Sequence, residues 1–179
     1  MATLACRRVR KLEQPCVLVG GLGMGFTLRA TLDLLPPDAI VVVAELVLAV
    51  VKWNRGPLGP LARYPLKDKR VRIEMGDVAV TLRSGPDKFD AVLLDVDNGP
   101  TAFTESANAW LYEDRGIAAA RAALKMDGVL AVWSARDDRK FEKRLRHGRF
   151  AVRVERVRGC LKKGGAHHTI FLGHKAPSS

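Results

Sequence analysis

The sequence predicts an α/β domain: a central, mostly parallel sheet of about seven strands with an antiparallel C-terminal edge. Three observations carry this. Short apolar runs alternate with longer segments of helical period from Cys16 to Trp133. Runs such as Ile40–Ala44 (IVVVA) and Ala91–Leu94 are apolar without alternation, as strands buried on both faces are. Two late apolar segments, Phe150–Val157 and His168–Gly173, follow each other with no helix-period segment between them, which predicts an antiparallel pair.

The elements follow in order. Cys16–Gly20 (CVLVG) reads as the first strand, and a glycine cluster leads into a helix over Gly25–Leu35. Pro36-Pro37-Asp38 is a turn. The second strand ends at Glu45, a helix spans Leu46–Asn54, and Gly56-Pro57 and Gly59-Pro60 open a loop that runs to Lys69. Val71–Met75 is the third strand and Val78–Leu82 a short helix stopped by Ser84-Gly85-Pro86. After the fourth strand, Asp97–Asn108 is a polar loop. Tyr112–Lys125 is an Ala-rich helix, broken at Met126-Asp127-Gly128 before a fifth strand, Val129–Trp133. Lys140–Arg146 is a short basic helix. Right-handed crossovers build the first half as a βαβαβ unit. The expected organisation is a basic N-terminal segment over 1–15, one domain over 16–175 and a tail over 176–179.

Composition narrows the functions. The 179 residues are 47% hydrophobic, which suits one packed domain rather than a disordered chain. No apolar run approaches the roughly 18–20 residues of a membrane-spanning helix. The first fifteen residues lack the apolar stretch of a secretory signal, so the expectation is a cytoplasmic protein without membrane contact. Cys6, Cys16 and Cys160 lie far apart, which argues against a disulfide framework or a zinc site. His167 and His168 are adjacent and would point to opposite faces of a strand, so no metal is expected. The net charge is +11. Arg136–Lys163 holds twelve basic residues and four acids, a balance of +8, and Arg7, Arg8, Arg10 and Lys11 form a second cluster. Weak nucleic-acid binding through Arg136–Lys163 is one expectation, and a solubilising face or an acidic partner the other.

Candidate site residues lie where strands end. Gly20, Gly21, Gly23 and Gly25 join the first strand to a helix N-terminus, which lets the backbone turn sharply and approach a ligand, although glycines also make ordinary turns. Glu45 ends the second strand twenty positions after Gly25, where a carboxylate can accept both hydroxyls of a ribose. Gly76 and Asp77 follow the third strand and suit the edge of an adenine, or a helix cap, or both. Asp95 and Asp97 follow the fourth strand, in a segment that reads either as catalytic carboxylates or as a turn.

In this order VLVGGLGMGFTLR (Val17–Arg29), VVVAE (Val41–Glu45), RVRIEMGD (Arg70–Asp77), FDAVLLDVDNGP (Phe89–Pro100) and LKMDGVLAVWS (Leu124–Ser134) resemble the spermidine synthase (polyamine aminopropyltransferase) family. That family lies within the wider class I S-adenosylmethionine-dependent methyltransferase fold, which is Rossmann-like. The resemblance implies that Gly21, Gly23, Gly25 and Glu45 hold the nucleoside of decarboxylated S-adenosylmethionine and that Gly76 and Asp77 approach its adenine. It implies that Asp95, and less directly Asp97, supply the catalytic carboxylates. Three positions depart from the family. Met24 stands where the glycine loop usually has an Asp, the loop after the fourth strand is two residues shorter, and Trp133 stands where a Gln often lines the polyamine channel. The residues before Cys16 are too few to hold the family's N-terminal β-rich domain.

Three functions follow as expectations. The first is a spermidine synthase-like transferase that moves an alkyl group, aminopropyl to a polyamine, from decarboxylated S-adenosylmethionine. The second is an S-adenosylmethionine-dependent methyltransferase acting on a small molecule or RNA. The third is a non-catalytic nucleoside- or RNA-binding protein. The partner is a small-molecule amine or another nucleophile, and a homodimer is among the expected assemblies.

Overall fold

The computed structural model describes residues 1–96, 109–158 and 167–176. Its strands are β1 (Cys16–Gly20), β2 (Ile40–Glu45), β3 (Val71–Met75), β4 (Phe89–Leu94), β5 (Leu124–Ser134), β6 (Ala151–Arg158) and β7 (His167–His174). Its helices are α1 (Ala2–Val9), α2 (Phe26–Leu34), α3 (Leu48–Arg55), α4 (Val78–Arg83), α5 (Asp114–Ala123) and α6 (Arg139–His147). The sheet has seven strands in the order β3-β2-β1-β4-β5-β7-β6. β3 through β5 are parallel, and β7 pairs antiparallel with both β5 and β6. The expected architecture is therefore the one observed.

Apolar side chains fill both faces of the sheet. On one face Val17, Val19, Val43 and Leu93 pack with Leu28 and Leu32 of α2, Val51 of α3, and Ala5 and Cys6 of α1. On the other, Leu18, Val92, Leu94 and Phe171 pack with Leu82 of α4, Ile117 of α5, and Phe141 and Leu145 of α6. Phe141 sits edge-on to Tyr112 and Phe171, with ring centroids 5.7 and 5.2 Å away. Alternation along each parallel strand sends successive residues to opposite cores. No helix among the described residues is long and apolar enough to cross a membrane.

Several elements differ from the sequence reading. Residues 1–15 are not only a basic segment: Ala2, Ala5, Cys6 and Val9 recur at helical spacing and are buried, so α1 covers the sheet while its arginines stay outside. Burial pushes the Cys6 thiol up to about 11, which makes it a core residue rather than a nucleophile. The loop expected up to Lys69 contains two 3₁₀ turns, Gly59–Ala62 and Pro65–Lys67, each with a proline in its first positions. The helix expected over Tyr112–Lys125 is a 3₁₀ turn, Ala109–Tyr112, followed by α5. Met126–Gly128 does not separate helix from strand. β5 starts at Leu124, and the extra residues bulge where the register passes from Phe89↔Leu124 to Ala91↔Val129. The segments 97–108, 159–166 and 177–179 lie outside the described residues, and with them Cys160, Lys162, Lys163 and most of the expected tail.

The edge strand β3 is clamped from its start. Arg70 donates to the carbonyls of Leu35 and Pro36 at 2.8 and 3.2 Å and to both oxygens of Asp68 at 3.0 and 2.8 Å. Hydrogen bonds from Arg70 hold the Asp68 carboxyl at about 2, against burial, which opposes them. A carboxylate depressed this way stabilises the fold above its ordinary value near 3.8, and the effect disappears as pH falls through about 2. The stability difference between the natural protein and Asp68→Asn, read by urea denaturation, should therefore be full at pH 5 and shrink between pH 4 and pH 2.

Candidate nucleoside site

The parallel strands end on one edge of the sheet, and a cavity of about 250 Å³ opens there. Gly21, Gly23, Glu45, Gly76, Asp77 and Asp95 line it, together with Ala44, Leu46, Val47, Val50, Val78 and Val96. Six of the sequence-predicted site residues thus meet in one place. Gly20 and Gly25 stand just behind it. A Cβ on Gly20 would come within 2.9 Å of Val78, and one on Gly25 within 2.8 Å of the Asn54 side chain, so both serve close packing. Asp97 lies outside the described residues.

The glycine loop is held in shape by its neighbours. Gly21 donates to the Ala44 carbonyl at 2.9 Å, and Asp95 donates its N–H to the Gly20 carbonyl at 2.9 Å. Gly21, Gly23 and Gly25 all have positive φ, at 87°, 49° and 81°. A Cβ at Gly21 would lie 2.6 Å from the Asp95 carbonyl oxygen, whereas one at Gly23 would meet nothing within 4 Å. The first glycine is needed by the protein, and the second leaves open space on the ligand side.

Glu45 is 8% exposed. One carboxylate oxygen accepts the Leu22 N–H at 2.9 Å and the other the Val47 N–H at 2.8 Å. An ionised carboxylate offers about four acceptor positions, so two remain for hydroxyl groups in the cavity. Asp77 caps α4 by accepting the Ala79 N–H at 2.8 Å through one oxygen. It lines the cavity as well, so its cap and ligand-facing roles are compatible. Asp95 accepts the Thr27 hydroxyl at 2.5 Å, which ties the end of β4 to the first turn of α2.

Sequence reasoning missed three groups. Asn54 is fully buried and donates to the carbonyls of Gly23 and Val50 at 2.8 and 3.0 Å, holding the glycine loop against α3. Its Oδ1 has no partner among the described residues. Thr27 had no signal beyond its place in the first turn of a helix. Leu46 and Val47 follow the acid of β2, line the cavity and are largely exposed, so an apolar ring would cover them. A larger, shallower hollow of about 640 Å³ lies over Arg29, Asp33, Asp68 and Arg70. Its two acids are paired, Asp33 with Arg29 at 2.8 Å and Asp68 with Arg70 at 2.8 Å, and Lys67 and Lys69 complete its rim.

No protein-family model and no curated protein sequence matches the chain. Solved structures do match in fold. Spermidine synthase from Thermotoga maritima is similar over 93% of this chain and 54% of its own, at 22% identity and a TM-score of 0.70. Precorrin-6y C5,15-methyltransferase from Geobacter metallireducens is similar over 98% of this chain and 87% of its own, at 16% identity and 0.68. A SAM-dependent O-methyltransferase from Thermotoga maritima is similar over 99% and 65%, at 16% and 0.68. The chain spans little more than half the length of the spermidine synthase. These likenesses establish a Rossmann-like class I methyltransferase fold with its antiparallel C-terminal strands.

Two predictions test the site. Glu45→Ala should weaken binding of methylthioadenosine by about 1.5–3 kcal/mol, the scale of hydrogen bonds to a charged group, as read by calorimetry. Unchanged affinity would remove Glu45 from the site. Gly21→Ala should destabilise the fold more than Gly23→Ala in urea titrations. The second substitution carries only the roughly 1–2 kcal/mol of a left-handed backbone, and the first adds a collision with the Asp95 carbonyl.

Proposed function

We propose that the chain is a transferase that binds an adenosyl sulfonium at this edge and passes an alkyl group from it to a nucleophile. The observation that carries the reading is the convergence of the open glycine loop, the buried Glu45 carboxylate and Asp77 on one cavity at the ends of parallel strands. Backbone N–H groups and positive-φ glycines suit the donor's polar arm. The spare acceptor positions of Glu45 suit a ribose, and the apolar Leu46, Val47, Val78 and Val96 suit the faces of an adenine. Transfer from a sulfonium asks little of the protein beyond alignment, because the donor carries its own leaving group. Asp95, fixed by Thr27 beside the loop, orients donor and acceptor.

The donor this site favours is intact S-adenosylmethionine, which makes the reaction a methyl transfer. Met24, at the tip of the glycine loop, is 55% exposed and carries no charge. The tip of the loop carries no carboxylate to repel the donor's own, while the acids of the cavity, Glu45, Asp77 and Asp95, face its cationic parts.

A second reading is spermidine synthase-like aminopropyl transfer to an amine, in which decarboxylated S-adenosylmethionine is the donor. The similarity in fold to spermidine synthases and the carboxylates at Asp95 and Asp97 favour it. A protonated amine attacks only after losing its proton, and Asp97 is the residue to take it.

Calorimetry with the two donors separates these readings. The intact donor should bind about tenfold tighter, the scale of one hydrogen bond to a charged group. The reverse preference selects aminopropyl transfer, and Asp97→Asn should then lower turnover by roughly 10²–10⁴. Binding of neither donor, nor of methylthioadenosine, rejects the transferase.

A further inference from the structure

The edge of the sheet that carries the cavity continues past it, and what lies there has a chemistry of its own. The register of β4 with β5 runs through Leu93↔Ala131 and Leu94↔Val132, which sets Trp133 beside Asp95. Trp133 pairs with Ile170 of β7, which in turn pairs with Glu155 of β6. His168, two residues before Ile170, lies against Trp133, with ring centroids 5.0 Å apart and planes tilted by 36°. Both rings are half-buried. The Nδ1 of His168 is buried and has no partner among the described residues. Alternation places Asp95, Trp133 and His168 on the face that also carries Thr27 and the glycine loop.

One strand further on, the same edge becomes basic. β6 runs parallel to β5, because each is antiparallel to β7, so Arg156 and Arg158 emerge level with Ser134 at the same end of the sheet, on the face that carries α6 and opposite to Trp133 and His168. Arg136 follows directly after β5, and α6 begins at Arg139 and Lys140 on that edge. All five are exposed. With strands about 4.8 Å apart, β6 stands roughly 14 Å from Asp95. The acids of this segment are occupied within the chain. Asp137 pairs with Arg156 at 2.6 Å, Asp138 caps α6 by accepting the Lys140 and Phe141 N–H groups, Glu142 pairs with Arg146 at 2.7 Å, and Glu155 pairs with Arg153. Among the described residues, Arg139, Lys140 and Arg158 have no carboxylate partner.

We propose that this edge is the acceptor surface and that the acceptor is an unpaired stretch of RNA. Arg136, Arg139, Lys140, Arg156 and Arg158 hold its phosphates, and the RNA crosses the end of the sheet to the opposite face, where the Trp133–His168 pair stacks a base next to the donor. The proposal rests on the methyl-transfer reading above. Arginine and lysine side chains bind phosphates by releasing counterions, and an aromatic platform holds an unpaired base by stacking. A small uncharged acceptor would need no basic rim, and a polyamine would be repelled by it. A nitrogen of the stacked base forms the new bond to the methyl carbon. The carbon–sulfur electron pair returns to sulfur, leaving the neutral thioether, and the proton shed by that nitrogen passes to the Asp95 carboxylate.

The test is anisotropy of a fluorescein-labelled RNA hairpin with a single-stranded loop, titrated with the full chain without donor at several salt concentrations. Binding should weaken steeply with salt. The Arg139→Gln, Lys140→Gln, Arg158→Gln triple variant should flatten the log–log salt slope by about 2. Trp133→Leu should weaken binding by about 5- to 150-fold, the scale of one lost base stack. Calorimetry with methylthioadenosine on each variant shows whether the fold and the nucleoside site are intact, and it reads the transferase proposal independently of RNA. A chain that binds methylthioadenosine but no RNA at low salt overturns this proposal and leaves the transferase standing. Salt-independent binding, or an unchanged slope in the triple variant, also overturns it. Displacement of the RNA by polyglutamate at equal charge concentration overturns it in favour of an acidic protein partner.

Discussion

The carboxylate of Glu45 is the joint on which the site turns. It is buried, and its two oxygens take N–H groups from two different segments, Leu22 in the glycine loop and Val47 at the exit of β2. A buried carboxylate is costly unless it is satisfied, and here satisfaction draws the two loops together. The backbone of the same residue accepts the Gly76 N–H at 2.9 Å, which adds the exit of β3. Three strand ends are thereby registered by one residue. The cavity is the space this arrangement leaves between them.

Around that joint, each neighbour fixes one degree of freedom. Asn54 pins the glycine loop to α3, Thr27 pins Asp95 to α2, and Asp77 starts α4 at the point where β3 ends. None of these contacts depends on a long side chain, so little rotamer freedom is lost in forming them. The two apolar layers do the rest. β1 and β4, at the centre of the sheet, are covered on both faces, so the loops that leave them inherit a rigid base.

Much of this was legible in the sequence, for physical reasons. Strands buried on both faces leave runs like IVVVA and AVLL that no amphipathic helix would show. Glycines needed at positive φ and an acid after the second strand marked the cavity. The misses have reasons too. The helical stripe of Ala2, Ala5, Cys6 and Val9 was masked by small residues and neighbouring arginines. A bulge such as Met126–Gly128 reads as a helix break, because Asp-Gly signals a turn in either setting. Asn54 lies on a helix with nothing in its spacing to separate it from a solvent-facing polar residue, and only the packed loop reveals its partner. The alternation of Trp133 and His168 onto one face followed from strand order, which a linear reading does not supply.

The place of β7 between β5 and β6 has a consequence for how the chain comes into being. Among the described residues β6 pairs only with β7, which follows it in the chain. A ribosome that has delivered everything up to Arg158 has delivered the whole nucleoside cavity, which draws on β1 through β4. The strand carrying Arg156 and Arg158 still has nothing to pair with at that moment. Insertion of His167–His174 then completes two ladders in one event. The donor-side half of the molecule thus leaves the ribosome first, and the basic edge can pair only once His167–His174 has followed it.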